Sequence, residues 1–143
     1  MALGFAGDAM GLGKAVIVAG IGCRRGATAA QIEAAINAAL ERAGRPLARI
    51  DLMATAASKR KEQGIAAAAS ARGARLAFVD QADLEAAGAH TTTLSRRVLA
   101  LAGVPSVAEA AALAAAGPRA RIILPRIVAG PVTCALASDE EAP

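Results

Sequence analysis

Residues 15–44 read AVIVAGIGCRRGATAAQIEAAINAALERAG, and within them one hydrophobic period gives way to another. The apolar run 15–21, bounded by glycines, reads as a buried strand. Gly20, Gly22 and Gly26 crowd its end, with Arg24 and Arg25 between them. Thr28 followed by Gln31 has the capping-box pattern, in which each side chain takes the other residue's backbone N–H. Ile32, Ile36 and Leu40 then recur every four residues, and Ala35, Ala39 and Ala43 widen the same stripe. Gly44 and Pro46 stop the helix. A strand, a glycine-rich turn and a helix in that order begin a βαβ unit, the building block of a parallel sheet.

The pattern continues in both composition and spacing. Residues 51–57 (DLMATAA) form a second strand candidate, although alanine lowers its β-propensity. It runs into Ser58, Lys59, Arg60 and Lys61, and a helix follows over 62–72 with Gly73 behind it. Gly64 in the first turn costs up to about 1 kcal/mol against alanine, a cost that a bound group or a close backbone contact offsets. Residues 75–79 (RLAFV) are a third strand, and Asp80 is placed to cap a short helix through Leu84. The polar stretch 88–97 has no period and reads as a loop. Ser106 and Glu109 make a second capping box before an alanine-rich helix ending near Gly117 and Pro118. Residues 121–124 are a fourth strand, 126–130 a turn region and 132–137 a fifth strand. The fifth follows its neighbour too closely for a helical crossover, so it pairs antiparallel or as an edge hairpin.

These elements predict an α/β fold: a single compact domain with a mostly parallel or mixed sheet flanked by helices. The domain spans 14–138, between a flexible glycine-rich segment at 1–13 and a flexible acidic tail at 139–143. The 143 residues suit one domain. With 2 Phe and no Trp or Tyr, alanine and the aliphatic residues must fill the core, letting helices approach the sheet closely.

A net charge of +4 favours acidic partners. The near absence of aromatic stacking platforms argues against a single-strand nucleic-acid binder, and no zinc-finger spacing or basic heptad region appears. Cys23 and Cys134 lie in apolar stretches and read as free thiols of a reducing compartment. With His90 the sole histidine, no metal site is expected. The first residues lack the basic start of a secretory signal. Residues 99–117, interrupted by Pro105 and Glu109, are too weakly apolar for a membrane span. The expectation is a cytoplasmic protein with no membrane or nucleic-acid partner and no cofactor.

Loops after parallel strands share one rim of the sheet, where open α/β sheets bind ligands. Gly22, Cys23, Arg24, Arg25 and Gly26 belong to that rim, as do Ser58, Lys59, Arg60 and Lys61. The helix starting near Thr28 adds free N–H groups, so an anion there meets several donors. Arg24 and Lys59 divide between ligand contact and solvation, whereas Arg25, Arg60 and Lys61 read more as solvated neighbours. Arg42, Arg45 and Arg49 are explained by a helix C-terminus and solvent. The glycines form no dinucleotide fingerprint, and no P-loop occurs. Glu62 is either a solvated first-turn residue or an orienter of Lys59 or substrate. Glu109 either returns to Ser106 or moves protons from a shared cleft. Cys23 beside two arginines has a thiolate reading, but no base partner is evident.

Four stretches carry a family resemblance: 18–26 (VAGIGCRRG), 58–65 (SKRKEQGI), 103–113 (GVPSVAEAAAL) and 133–137 (TCALA). In this order the chain resembles the cobalamin-biosynthesis family formed by CobE and the C-terminal domain of CbiG. The resemblance implies a compact α/β protein acting in corrin-ring construction. In the anaerobic pathway the two-domain relative opens a lactone on a cobalt-precorrin and releases acetaldehyde; this chain looks like the free-standing form linked to the aerobic pathway. The family commonly has proline after the glutamate, where this sequence has Gln63. The implied ligand is a carboxylate-rich precorrin or corrin intermediate, bound through Gly22, Cys23, Arg24, Arg25, Gly26, Lys59, Glu62, Gly64, Ser106 and Glu109. Glu62 and Glu109 are the candidates for any catalysis. Other cobalamin-biosynthesis enzymes are the implied protein partners. The functional alternatives are an enzyme of the ring periphery, such as a precorrin hydrolase, and a structural partner of another pathway enzyme.

Overall fold

The computed structural model describes residues 16–89 and 107–139. In chain order they form strand β1 (Ile17–Cys23), helix α1 (Ala29–Arg42), strand β2 (Leu52–Ala56), a 3-10 turn (Ala57–Lys59), helix α2 (Gln63–Arg72), strand β3 (Arg75–Val79), helix α3 (Gln81–Ala89), helix α4 (Val107–Ala116), and strands β4 (Arg121–Ala129) and β5 (Val132–Ser138). The strands make one sheet in the order β3-β2-β1-β5-β4. β1, β2 and β3 run parallel, and β5 pairs antiparallel with both β1 and β4. The chain is thus a compact α/β domain with a mixed sheet flanked by helices.

Alternation along β1 divides the core. Ile17, Ala19 and Ile21 pack with Ile32, Ile36 and Leu40 of α1 and with Ile65 and Ala68 of α2. Val18 packs with Leu84 of α3 and Ala110, Ala111 and Ala112 of α4. Connectivity accounts for this split. The crossovers from β1 to β2 and from β2 to β3 step toward one edge, and right-handed connections place both helices on one face. The chain then returns to the far edge, so the same handedness puts α3 and α4 on the other face.

Small side chains set the layer spacing. Gly20 of β1 faces α4 so closely that a Cβ there would lie 1.9 Å from the Ala108 carbonyl oxygen. On the other face Arg72 of α2 donates to the Glu33 carboxylate and the Asn37 amide oxygen of α1. Asp51 and Asp139 accept the N–H groups of Ile17 and Val16, each at 2.9 Å, and so complete the entry to β1. Thr28 and Gln31 form the reciprocal capping box expected of them.

β1 runs through Gly22 to Cys23 rather than ending at Ile21, and two further boundaries depart from the sequence reading. The fourth strand does not end at Leu124: it continues through the expected turn region to Ala129. Its register against β5 shifts between Ile122 and Leu124 and again between Leu124 and Ile127, the interval that holds Pro125; proline lacks the ladder donor and is tolerated at an edge-strand irregularity. The reversal is confined to Gly130 and Pro131, with Gly130 at φ 59°. The short helix after Asp80 runs on to Ala89 rather than stopping at Leu84, so the expected loop over 88–97 begins inside a helix. The rest of that loop, the segments 1–13 and 140–143, His90 and Ser106 lie outside the described residues. Among the described residues no helix is long and apolar enough to cross a membrane.

Candidate functional site

Parallel pairing aligns Ile21 with Thr55, and the buried Thr55 hydroxyl donates to the Ile21 carbonyl at 2.7 Å. This brings the ends of β1 and β2, with the loops that follow, side by side. The first loop is held from three directions. Arg24 N–H donates to the Pro131 carbonyl of the β4–β5 hairpin at 2.9 Å. Gly26 N–H donates to a Glu62 carboxylate oxygen at 2.9 Å. Ala27 seats its carbonyl where a Cβ on Gly64 would be, only 2.1 Å away. In the second loop the Arg60 guanidinium lies 4.9 Å from the centroid of the Phe78 ring, a cation–π contact.

Between these loops and the hairpin opens a cleft of about 380 Å³. Its described lining includes Gly22, Cys23 and Arg24 from the end of β1, Ser58 and Lys59 after β2, and Val107 at the start of α4. Val128, Gly130, Pro131 and Thr133 of the hairpin complete the opposite side. Arg24 is exposed and Lys59 half-buried. Val107 and Val128 are 45% and 72% exposed, so the cleft offers apolar surface beside its two cations. A larger hollow of about 580 Å³ lies against α3 and α4, but Asp83 is the only charged side chain among its described lining residues. That sign is wrong for a carboxylate ligand.

The structure therefore brings together Gly22, Cys23, Arg24 and Lys59 from the candidate set. Arg25, Gly26, Glu62, Gly64 and Glu109 are not among the lining residues. Glu62, read as a solvated first-turn residue or as an orienter of Lys59 or a substrate, accepts the Gly26 N–H and so braces the first loop. Gly64 accommodates internal backbone, not an approaching ligand. Glu109 accepts the Arg126 N–H at 3.0 Å and ties α4 to the irregular part of β4. The first turn of α1 does not line the cleft either, which removes the expected helix N–H donors. Val107, Val128 and Thr133 were absent from the candidate set, although Val107 and Thr133 sit inside quoted family stretches. No sequence signal marks Val128, which reaches the cleft only because β4 continues past Pro125.

The Cys23 thiol is pushed above its ordinary value, chiefly by burial, against the pull of the Lys59 ammonium and with help from the Glu62 carboxylate. The neighbours that matter are thus Lys59 and Glu62, not the adjoining arginines, and the thiolate reading loses its basis. Burial pushes Cys134 up to about 12. Alkylation of Cys23 by iodoacetamide near pH 8 is expected to be slower than that of a free thiol. Lys59→Ala slows it further and Glu62→Gln accelerates it; a stopped assay across pH measures the order of the three. Among the described residues no three His, Cys, Asp or Glu side chains converge as a metal site.

Comparison with known proteins adds the lineage. Residues 17–137 match the family model described as cobalamin synthesis G C-terminus. The chain is 37% identical to Protein CobE of Sinorhizobium sp over 121 residues, covering 85% of this chain and 79% of that protein. It is similar to the crystal structure of the cobalamin biosynthesis protein chiG from Agrobacterium tumefaciens str. C58, with 49% identity and a TM-score of 0.71, covering 85% of this chain and 97% of the other. It is also similar to the crystal structure of CobE, a protein from the cobalamin (vitamin B12) biosynthetic pathway, with 34% identity and a TM-score of 0.74 over 87% and 93% of the two chains. Sequence and fold together place this chain in the CobE and CbiG C-terminal family of cobalamin biosynthesis.

Proposed function

We propose that the cleft binds a carboxylate-rich precorrin or corrin intermediate, and that the protein carries or protects that intermediate in the cytoplasm between the enzymes of cobalamin biosynthesis. The observation that carries this reading is the convergence of Arg24 and Lys59 with the exposed Val107 and Val128 around one cleft. A corrin intermediate has an apolar ring body and peripheral carboxylates. Arginine grips a carboxylate through two N–H groups and lysine supplies a compact charge. The family relationship supplies the pathway.

A binding role is favoured over catalysis at the ring periphery by what the two candidate acids do. General acid–base work requires a carboxyl within reach of the reacting group. Glu62 and Glu109 each accept a backbone N–H, and neither belongs to the cleft lining.

Equilibrium titration against precorrin intermediates and hydrogenobyrinic acid, at several salt concentrations, tests the reading. Saturable binding that weakens with salt but persists at physiological ionic strength is expected. No saturation with any intermediate overturns it. Anaerobic incubation followed by mass analysis of the ring separates carrier from enzyme: unchanged mass with retained binding is the carrier's result.

A further inference from the structure

Strand register arranges part of the cleft as a floor. Gly22 is opposite Thr133, and Thr133 is opposite Val128. On the other side of β1, Ala56 follows Thr55, the partner of Ile21. Ala56, Gly22, Thr133 and Val128 thus come from four adjacent strand ends, and all line the cleft. Strands lie ~4.8 Å apart, so the floor is about 14 Å wide. One strand pleat earlier on this face, Gly20 is covered by the backbone of α4. Among the described residues the helix begins at Val107, and Gly22 lies beyond the cover it gives. Among the described residues, a Cβ on Gly22 would meet only the Thr133 side chain, at an ordinary 3.8 Å.

The two glycines of β1 therefore differ in kind. Gly20 is required by internal packing, and Gly22 is not. Its backbone has no positive φ that would exclude a side chain, and a strand interior gains from having one. What a side chain at 22 would occupy is the middle of the cleft. We propose that Gly22 is a size-selecting position: a flat ring lies across the four strand ends, with Arg24 and Lys59 at its edge, and the bare backbone at 22 admits its face. This rests on the proposed binding of a corrin intermediate and adds how the ring is seated.

The test is the pair Gly22→Ala and Gly22→Leu, titrated with hydrogenobyrinic acid and with butane-1,2,3,4-tetracarboxylate, a small flexible polyanion. Both variants are expected to melt within a few degrees of the parent. Gly22→Leu binds the ring about 10- to 100-fold more weakly, as overfilling a contact surface costs, with Gly22→Ala intermediate. Binding of the small polyanion stays within about twofold, because both cations remain. A folded Gly22→Leu protein that binds the ring like the parent overturns the seating while leaving the carboxylate site standing. Equal losses for the ring and the small polyanion also overturn it, since the effect then comes from the charged groups. If the parent protein binds no ring compound, the seating falls together with the proposed function.

Discussion

Gly20→Ala is expected to lower folding stability by about 3 kcal/mol or more, at the upper end of what overpacking one methyl produces. The added Cβ would lie 1.9 Å from the Ala108 carbonyl oxygen and 2.9 Å from the Ala112 Cβ. The carbonyl belongs to the first turn of α4 and cannot rotate aside as a side chain does. The helix must retreat from β1, and it cannot do so locally. Ala110, Ala111 and Ala112 are buried beside Val18, Ala54 and Ala137, so retreat opens voids along three strands. Tight packing of small residues gives the layer its cohesion and leaves no slack. Urea denaturation of parent, Gly20→Ala and Gly22→Ala proteins checks the contrast, with the last expected within about 0.5 kcal/mol of the parent. A Gly20→Ala protein as stable as the parent means that α4 does not lie on β1 as described.

The double substitution Arg24→Ala with Lys59→Ala is expected to leave the fold intact and to weaken binding of a corrin polycarboxylate about thirtyfold. Lys59 is half-buried and becomes desolvated under a ligand, so its charged contact is worth about 1.5 kcal/mol. Arg24 is exposed, and solvent screening holds its share to about 0.5 kcal/mol. The sum of roughly 2 kcal/mol is that thirtyfold change. The salt dependence of the remaining binding should also flatten, since charge attraction is what salt screens. Folding is spared because Arg24 is tied to Pro131 through its backbone N–H, which alanine retains. Titration calorimetry at two salt concentrations, with a melting curve for each protein, measures all three quantities. Unchanged affinity in a folded double variant removes the site from this rim.

The parts legible in the sequence are those governed by neighbouring residues. The Thr28 and Gln31 capping box is a contact within one turn, so it appears in the sequence and in the fold alike. Residues 75–79 form the third strand within the bounds read from their composition. Gly73 ends α2 at φ 71°, as a glycine after an apolar helix suggests. Gly64 shows the limit. Its cost within a helix is evident from the sequence, yet only the fold identifies what offsets it, the Ala27 carbonyl from another loop. The glutamates show it too, since carboxylates at helix starts satisfy several roles equally well. Glu62 and Glu109 take backbone donors 36 and 17 residues away, and no local pattern encodes those partners.

By itself the amino-acid sequence determined the α/β class, the order of its strands and helices, the two basic loops and the family, because periodicity, capping and turn chemistry act over a few residues. Tertiary structure alone decided which residues face the cleft. Register between β1 and β5, distant in the chain, set Gly22 beside Thr133 and its hairpin partner Val128, and the start of α4 divided a covered glycine from an open one among the described residues. Those distinctions depend on backbones meeting across layers, a relation that neighbouring residues do not specify.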